Sequence, residues 1–325
     1  MNTKLYILFT LILIVKLSYG QQDPQFTQFY ANPLYQSPSF AGSTEGYRVS
    51  LNHRDQWPKM PGKLTTTTFA IDYNLLPLNS GLGIIVVNDK IGSADLMTLN
   101  IGFLYSYNVK INRTTYFRPG VALYYTQRGL DYNKLLFLSE IETGGPPPIM
   151  SSEITSIQGF DGTFSGMLIS RNMWVGISAD HLAMPNVSFT KNIERLPVKY
   201  TLFGGYKFHK IERILSTKRQ TFTVSGTYRH QGESDQMDLG LYWSYDKMIL
   251  GAWYRDLPFI KDYSRRDAIA LVAGYKYNGL NLAYSYDFTV SKLITNTGGA
   301  HEISVTYLFD IKQRKKFKPI PCPTF

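Results

Sequence analysis

The sequence predicts an all-β chain: a transmembrane antiparallel β-barrel of the outer membrane, with about 14 strands and both termini in the periplasm. Three observations predict it. The chain opens with an export leader, long stretches alternate apolar and polar residues with period two, and the polar partners in those stretches are mostly small rather than charged.

The leader comes first. Lys4 gives a short positive start, residues 5–15 are almost unbrokenly apolar, and Ser18-Tyr19-Gly20 puts small residues at the two positions a signal peptidase reads. Cleavage is expected before Gln21, which makes 1–20 a signal peptide. The apolar run covers only about half of the roughly 20 residues a helical span needs, so a retained anchor fits less well. No cysteine follows the cleavage site, which argues against a lipoprotein, and the single cysteine, Cys322, leaves no internal disulfide framework. Residues 21–45 carry Pro24, Pro33 and Pro38 and lack alternation. They are expected either to plug a lumen or to face the periplasm.

From residue 46 to 309 the alternation dominates. Leu99, Ile101, Phe103, Tyr105, Tyr107 and Val109 make one face of a segment whose other face is Asn100, Gly102, Leu104, Ser106 and Asn108. Phe222-Val224-Gly226-Tyr228, Met237-Leu239-Leu241-Trp243-Tyr245 and Leu280-Leu282-Tyr284-Tyr286-Phe288 repeat the pattern. A soluble sandwich would present Lys and Glu on its wet face. Here the polar face is Gly, Ser, Thr, Asn and Ala, while Asp72, Arg229, Asp238 and Asp287 keep off the apolar face. Lipid enforces that separation, because Arg or Lys at the bilayer midplane costs about 2–4 kcal/mol. The strands expected are 47–54, 64–73, 81–88, 96–109, 114–126, 159–169, 173–179, 199–209, 220–229, 236–245, 248–255, 267–277, 280–288 and 301–309.

Connections alternate in length. Ser170-Arg171-Asn172, Asp246-Lys247 and Asn278-Gly279 are tight, the last being a hairpin dipeptide, whereas 127–158 is long and broken by Gly144-Gly145-Pro146-Pro147-Pro148. Short periplasmic turns and longer outside loops are the barrel rule. An even strand count then returns both ends to the periplasm. The final strand ends in an aromatic residue, Phe309, and a basic tail, 310–325, follows. That tail reads either as a solvated end or as a docking segment for an acidic partner.

Charge and chemistry narrow the function. Charged residues are 18% of the chain and tyrosines number 24; soluble domains typically carry about 25% charge. Loss of Lys4 and Lys16 with no acid takes the formal charge from +10 to +8. An exported chain rarely meets nucleic acid, so lipopolysaccharide or an acidic periplasmic protein is the expected counter-charge. His53, His181, His209, His230 and His301 show no metal-ligand spacing. Asp180-His181 in an outer loop with Asp161 near the rim is a conceivable catalytic pairing, but loop histidines are common and no enzyme is expected. His301-Glu302 reads as an acid–base pair or, more simply, as a hydrogen bond to Asp287 or another wall residue. Gly81-Leu82-Gly83 lies in a strand with no helix after it and is not a phosphate loop. No cofactor is expected. Trp57 and Met60-Pro61-Gly62, with Pro258, Phe259 and Tyr263, put apolar groups in outer loops, where they either contact a partner or fold over the mouth.

Several motifs also resemble one family. Gln25-Phe26-Thr27-Gln28-Phe29-Tyr30 with Asn32-Pro33, Arg54-Asp55-Gln56-Trp57, Tyr284-Ser285-Tyr286-Asp287 and Gly298-Gly299-Ala300-His301-Glu302-Ile303 are similar, in order, to the PorP/SprF family. Ala300 departs mildly from the Ser or Thr usual there. The resemblance spans the whole mature chain and leans toward the gliding-motility branch. It implies an outer-membrane component of the type IX secretion system of Bacteroidetes that works with periplasmic ring lipoproteins. It further implies binding to, and export or anchoring of, adhesins with a type B C-terminal signal domain. On that basis Arg54, Gln56, Trp57, Met60, Phe259, Tyr263, Asp287, His301 and Glu302 are the candidate partner-binding residues. The alternative is a passive diffusion porin.

Overall fold

The computed structural model describes residues 23–60, 62–92, 94–131, 156–189, 192–210, 220–255, 268–290 and 297–309. The leader, the basic tail, Phe259 and Tyr263 lie outside these. The strands are β1 (Tyr47–Gln56), β2 (Leu64–Leu75), β3 (Ser80–Ile91), β4 (Leu96–Tyr107), β5 (Val109–Lys110), β6 (Tyr116–Gly129), β7 (Ser156–Ile169), β8 (Met173–Asp180), β9 (Lys199–Lys210), β10 (Gln220–Gln231), β11 (Ser234–Tyr245), β12 (Met248–Arg255), β13 (Ala268–Tyr277), β14 (Leu280–Thr289) and β15 (Ala300–Phe309). The two residues of β5 only extend the edge of β6, so 14 strands build the wall.

Each wall strand pairs antiparallel with the next, and β1 pairs with β15 from Tyr47↔Phe309 to Gln56↔Ala300, which closes the sheet. Closure leaves no free sheet edge across the apolar band, as lipid requires. The mouth carrying the β1–β2, β3–β4, β6–β7 and β8–β9 connections is called here the loop mouth. The other carries the tight β7–β8, β11–β12 and β13–β14 turns and is called the turn mouth. Asn278 and Gly279 both have positive φ, 46° and 82°, the backbone a two-residue hairpin demands.

Side-chain parity follows the sequence. Leu51, Phe69, Phe103, Leu123, Phe160, Leu241 and Ile303 stand outward and exposed, while Ser50, Asn52, Thr68, Asp72, Ser106, Thr163, Asp238, Ser285 and Asp287 are buried inside. The oily surface is therefore the outside and the polar surface is the core. Leu123 is 71% exposed and sits mid-strand opposite Phe103 and Gly162. Leu123→Arg is expected to cost about 2–4 kcal/mol in unfolding from lipid vesicles, whereas Leu123→Ala, which keeps an apolar wall, costs clearly less. Equal losses for the two would remove the lipid-facing assignment.

Six strands, β1, β3, β6, β7, β10 and β11, run two or three residues further toward the loop mouth than the alternation indicates. The ladder continues there beyond the apolar band, through polar residues such as Asn88-Asp89-Lys90 and Arg229-His230-Gln231. One expectation fails for the same reason. The β10–β11 connection is not a longer loop: pairing runs to Gln231↔Ser234, and Gly232, at φ 60°, turns the chain with Glu233.

The lumen is filled by residues 23–45 of the chain itself. They make single helical turns at Pro33–Gln36 and Pro38–Phe40, each opened by its proline. Asp23 lies near the loop mouth and the segment descends to enter β1 at the turn mouth. The barrel's first strand begins and its last strand ends at one mouth, but the described chain starts at the other. Two apolar clusters hold the segment. Leu34, Phe40 and Ala41 pack with Ile85, Leu104, Met167, Trp174 and Phe203, and Phe29 packs with Tyr242, Trp253 and Val272. Phe29 meets Trp253 edge-on at 5.1 Å, with the Arg229 guanidinium over the Phe29 ring, 4.7 Å from its centroid.

Candidate functional site

The ionic core of the lumen assembles where the segment passes β1, β14 and β15. Register makes Arg54 and Glu302 direct cross-strand partners, and Ser285 the partner of Glu302 on the other side. Period-two parity then aims Arg54, Glu302 and Asp287 at the same interior point. Arg54 donates to Asp287 Oδ2 at 2.7 Å and to Glu302 Oε2 at 3.2 Å. Arg255 donates to Asp287 at 3.3 Å and to Asp238 at 3.1 Å, and Arg229 donates to Asp238 at 2.7 Å. Three guanidinium groups thus alternate with three carboxylates, and the row is neutral as a whole.

Threaded into this row is Thr27. Its hydroxyl donates to the Asp287 carboxylate at 2.8–2.9 Å and accepts from Arg54 at 3.0 Å and Arg255 at 3.1 Å. Glu302 accepts the backbone N–H of Thr27 at 2.7 Å and of Gln28 at 3.0 Å, one on each oxygen. Gln28 Nε2 donates to Ser285 Oγ and to the Glu302 carbonyl, and Ser304 donates to Gln28 Oε1. Four motifs far apart in sequence therefore meet at one place, where three of them hold Thr27 and Gln28 of the fourth.

A second anchor lies nearer the turn mouth. Arg118, fully buried, donates to the carbonyls of Ser39 at 3.0 Å and Ala41 at 2.5 Å and to Ser106 Oγ at 2.7 Å. Arg48 pairs bidentately with Asp72 at 2.8 and 3.0 Å and also reaches the Phe40 carbonyl, while Gly42 N–H donates to Asp72 at 2.7 Å. The wall must come close here. A methyl on Gly81 would lie 1.9 Å from the Ala41 carbonyl oxygen, which explains the glycine in Gly81-Leu82-Gly83. Gly81→Ala is expected to lift this stretch off the wall and cost about 1–3 kcal/mol, as overpacking does. Gly162→Ala, whose methyl would meet only ordinary contact at 3.8 Å, serves as the control. Identical melting midpoints for both variants would contradict the close approach.

The third anchor is at the loop mouth. Asp23 accepts from Lys199 Nζ at 2.6 Å and lies 2.9 Å from His181 Nε2, while His181 Nδ1 is 2.5 Å from Asp161. Burial disfavours the imidazolium, but Asp23 and Asp161 outweigh it and hold the His181 pKa up to about 10. Burial likewise opposes ionisation of Asp23, yet His181 and Lys199 keep its carboxyl well below the usual range. Because the histidine pKa is raised, its contribution is complete below the ordinary 6.5 and is lost as pH climbs through about 10. A ¹³C NMR titration of the His181 ring is expected to show imidazolium persisting at pH 8. A midpoint near 6.5 would overturn the clamp. With a carboxylate on each nitrogen, the ring has no position left to take a proton from a nucleophile, so the Asp161–His181 pairing fastens the segment.

The remaining candidates fall elsewhere. Gln56 ends β1, and Trp57, at φ 57°, donates its N–H to the Gly299 carbonyl at 2.8 Å and opens the turn that carries Met60. All three are half-buried at the loop mouth. His301 does not pair with Glu302: adjacent strand residues face opposite sides, and its Nδ1 meets the Tyr284 hydroxyl at 2.7 Å on the outside. Arg229 and Asp238, placed by alternation on the polar face, do lie in the lumen, whereas Arg255, Arg118 and Asp23 are not singled out by the sequence. Their signal was available for the strand residues, as charge at interior-facing parity.

A closed barrel with an oily exterior, an ion-lined lumen and an internal segment locked into it defines a plugged integral outer-membrane protein. The sequence matches the family of type IX secretion system membrane proteins PorP/SprF over residues 18–307, and the chain belongs to that family. No protein of curated function matches it. Among solved structures, the toluene transporter TbuX of Ralstonia pickettii is similar at 11% identity and TM-score 0.48, over 86% of this chain and 94% of that one. The outer membrane protein Omp33 of Acinetobacter baumannii is similar at 9% and 0.45, over 82% and 100%. The toluene transporter TodX of P. putida is similar at 12% and 0.47, over 84% and 92%.

Proposed function

We propose that this type IX secretion component acts as a non-conducting, non-enzymatic adaptor. On this reading its loop mouth and upper lumen hold the type B C-terminal domain of a secreted adhesin, and its turn mouth faces the periplasmic ring lipoproteins. Gln56, Trp57, Met60, Phe259 and Tyr263 would contribute to the adhesin contact, within lipopolysaccharide at the outer face. The observation that carries the reading is the filled lumen: a diffusion pore has no use for three sets of anchors that hold its own chain across the channel. Family membership supplies the secretion context.

The experiment is a deletion strain scored for surface adhesins and for gliding, complemented by the wild-type gene. Loss of a subset of adhesins together with gliding is expected. Full display and undiminished gliding would defeat the adaptor role. The porin reading rests on the chambers that flank the segment, about 320 Å³ toward the loop mouth and about 420 Å³ toward the turn mouth. The internal segment contributes Asp23 to the wall of one chamber and Tyr30, Ala31 and Thr44 to the wall of the other.

A further inference from the structure

The chamber at the turn mouth is blind, since the segment 23–45 forms its inner end. Its volume, about 420 Å³, falls in the range of ligand pockets, roughly 300–1,000 Å³. Its wall is a continuous row of strand ends from β9 to β15, with Lys207, Thr221, Ser244, Lys276, Asn281 and Thr306 among its lining side chains. These are donors for an anion: two ammonium groups with the Thr221 and Ser244 hydroxyls between them, and the Asn281 amide and Thr306 hydroxyl beyond Lys276. Lys276 has no acid or hydrogen-bond partner for its ammonium among the described residues.

The positive character continues outward over the rim. Lys207 N–H donates to the Asn172 carbonyl and Lys276 N–H to the Lys247 carbonyl, both at 2.7 Å. These bonds seat the exposed Arg171-Asn172 and Asp246-Lys247 turns beside the two chamber lysines. Arg171, Lys207 and Lys276 therefore run from rim to interior, flanked at the rim by Lys247, whose ammonium lies 5.0 Å over the exposed Tyr277 ring, with Asp246 the acid among the lining residues. The chain's own tail cannot be the complement, because residues 312–318 carry five bases and no acid.

We propose that this chamber and its rim bind an acidic peptide segment of a partner, seating one or two carboxylates between Lys207 and Lys276 and laying the rest across Arg171 and Lys247. A blind chamber has no transport role, so its charge serves retention. A charged arc reaching beyond the chamber suits an elongated polyanion better than a small ion. The inference stands on the turn-mouth geometry and does not depend on the adhesin reading.

The test uses the full mature protein in detergent micelles, titrated calorimetrically with N-acetyl-pentaglutamate amide at low salt. Saturable binding is expected, weakening in Lys207→Gln/Lys276→Gln by at least about tenfold, since two charge-assisted contacts are lost. Lys90→Gln, an exposed base at the loop mouth, is expected to leave affinity unchanged. Carbodiimide coupling of the peptide to wild-type protein, mapped by mass spectrometry, is expected at Lys207, Lys276 or Lys247, and it keeps the test decisive if the double variant fails to fold. No saturable binding, coupling spread evenly over loop-mouth lysines, or unchanged affinity in a folded double variant would each overturn the proposal. Equal displacement by succinate or inorganic phosphate at the same concentration would also overturn it, by making the chamber a small-ion site.

Discussion

Removing residues 24–42, with the leader and cleavage site kept, turns a silent barrel into one that conducts ions steadily in a planar bilayer. Wild-type protein is expected to show no stable open level, because the chambers at the two mouths are walled off by buried side chains of the internal segment. Phe26, Gln28, Leu34, Ser39 and Ala41 are each 1% exposed or less. Taking the segment out leaves a lumen lined by Ser, Thr and Asn with alternating Arg and Asp, which water and ions wet readily. The wall is closed by its own backbone ladder, so it retains its circumference when the filling goes. Folding of the shortened chain is checked by heat-modifiable migration on gels. Should it fail to assemble, reversible exposure of wild-type channels to moderate urea is expected to open the same conductance, since the segment is held by side-chain contacts and the wall by strand pairing. Stable conductance from the untouched wild type would reverse the adaptor-over-porin assignment, and silence from a folded deletion would show that something else closes the lumen.

What could be read from sequence follows from which physics is local. Lipid acts on every second residue, so Leu99-Ile101-Phe103 or Leu280-Leu282-Tyr284 announce strand and outward face together, and all 14 wall strands lie within a few residues of where alternation places them. Strand ends at the loop mouth are less legible. Past Tyr228 the apolar stripe stops but pairing does not, and His230 with Asp235 at 2.8 Å replaces lipid contact with a polar cross-strand pair. The path of 23–45 was illegible for a different reason. Its prolines indicate only what it is not, and its bonds go to Ser285, Asp287 and Glu302, more than 250 residues away in sequence. Arg54, Asp287 and Glu302 were found through motif resemblance and proved to converge, though on the chain itself. Parity separates His301 from Glu302 and adds Arg255 to Asp238 and Arg229 in the interior set.

Convergence of that kind predicts a large and specific cost. Arg54→Ala is expected to destabilise the protein by about 3–5 kcal/mol, the loss seen when one member of a buried ion pair goes and its partners remain. Here two partners remain, and the neutral row becomes anionic, with Arg255 and the Thr27 hydroxyl left on Asp287 and the Thr27 and Gln28 N–H groups left on Glu302. The segment should loosen before the wall does, because Thr27 and Gln28 hang from these carboxylates while β1 keeps its ladder to β2 and β15. Limited proteolysis between residues 23 and 45 is therefore expected to appear in Arg54→Ala under conditions where the wall stays intact. The double variant Arg54→Ala/Glu302→Gln restores neutrality while its amide oxygen can still accept one of the two backbone N–H groups. Its cost should fall well short of the sum of the two single losses, and a double-mutant cycle measures the difference directly. Strict additivity would mean that Arg54 and Glu302 do not sense one another, and the row would then be a set of separate hydrogen bonds rather than a charge-balanced lock on the internal segment.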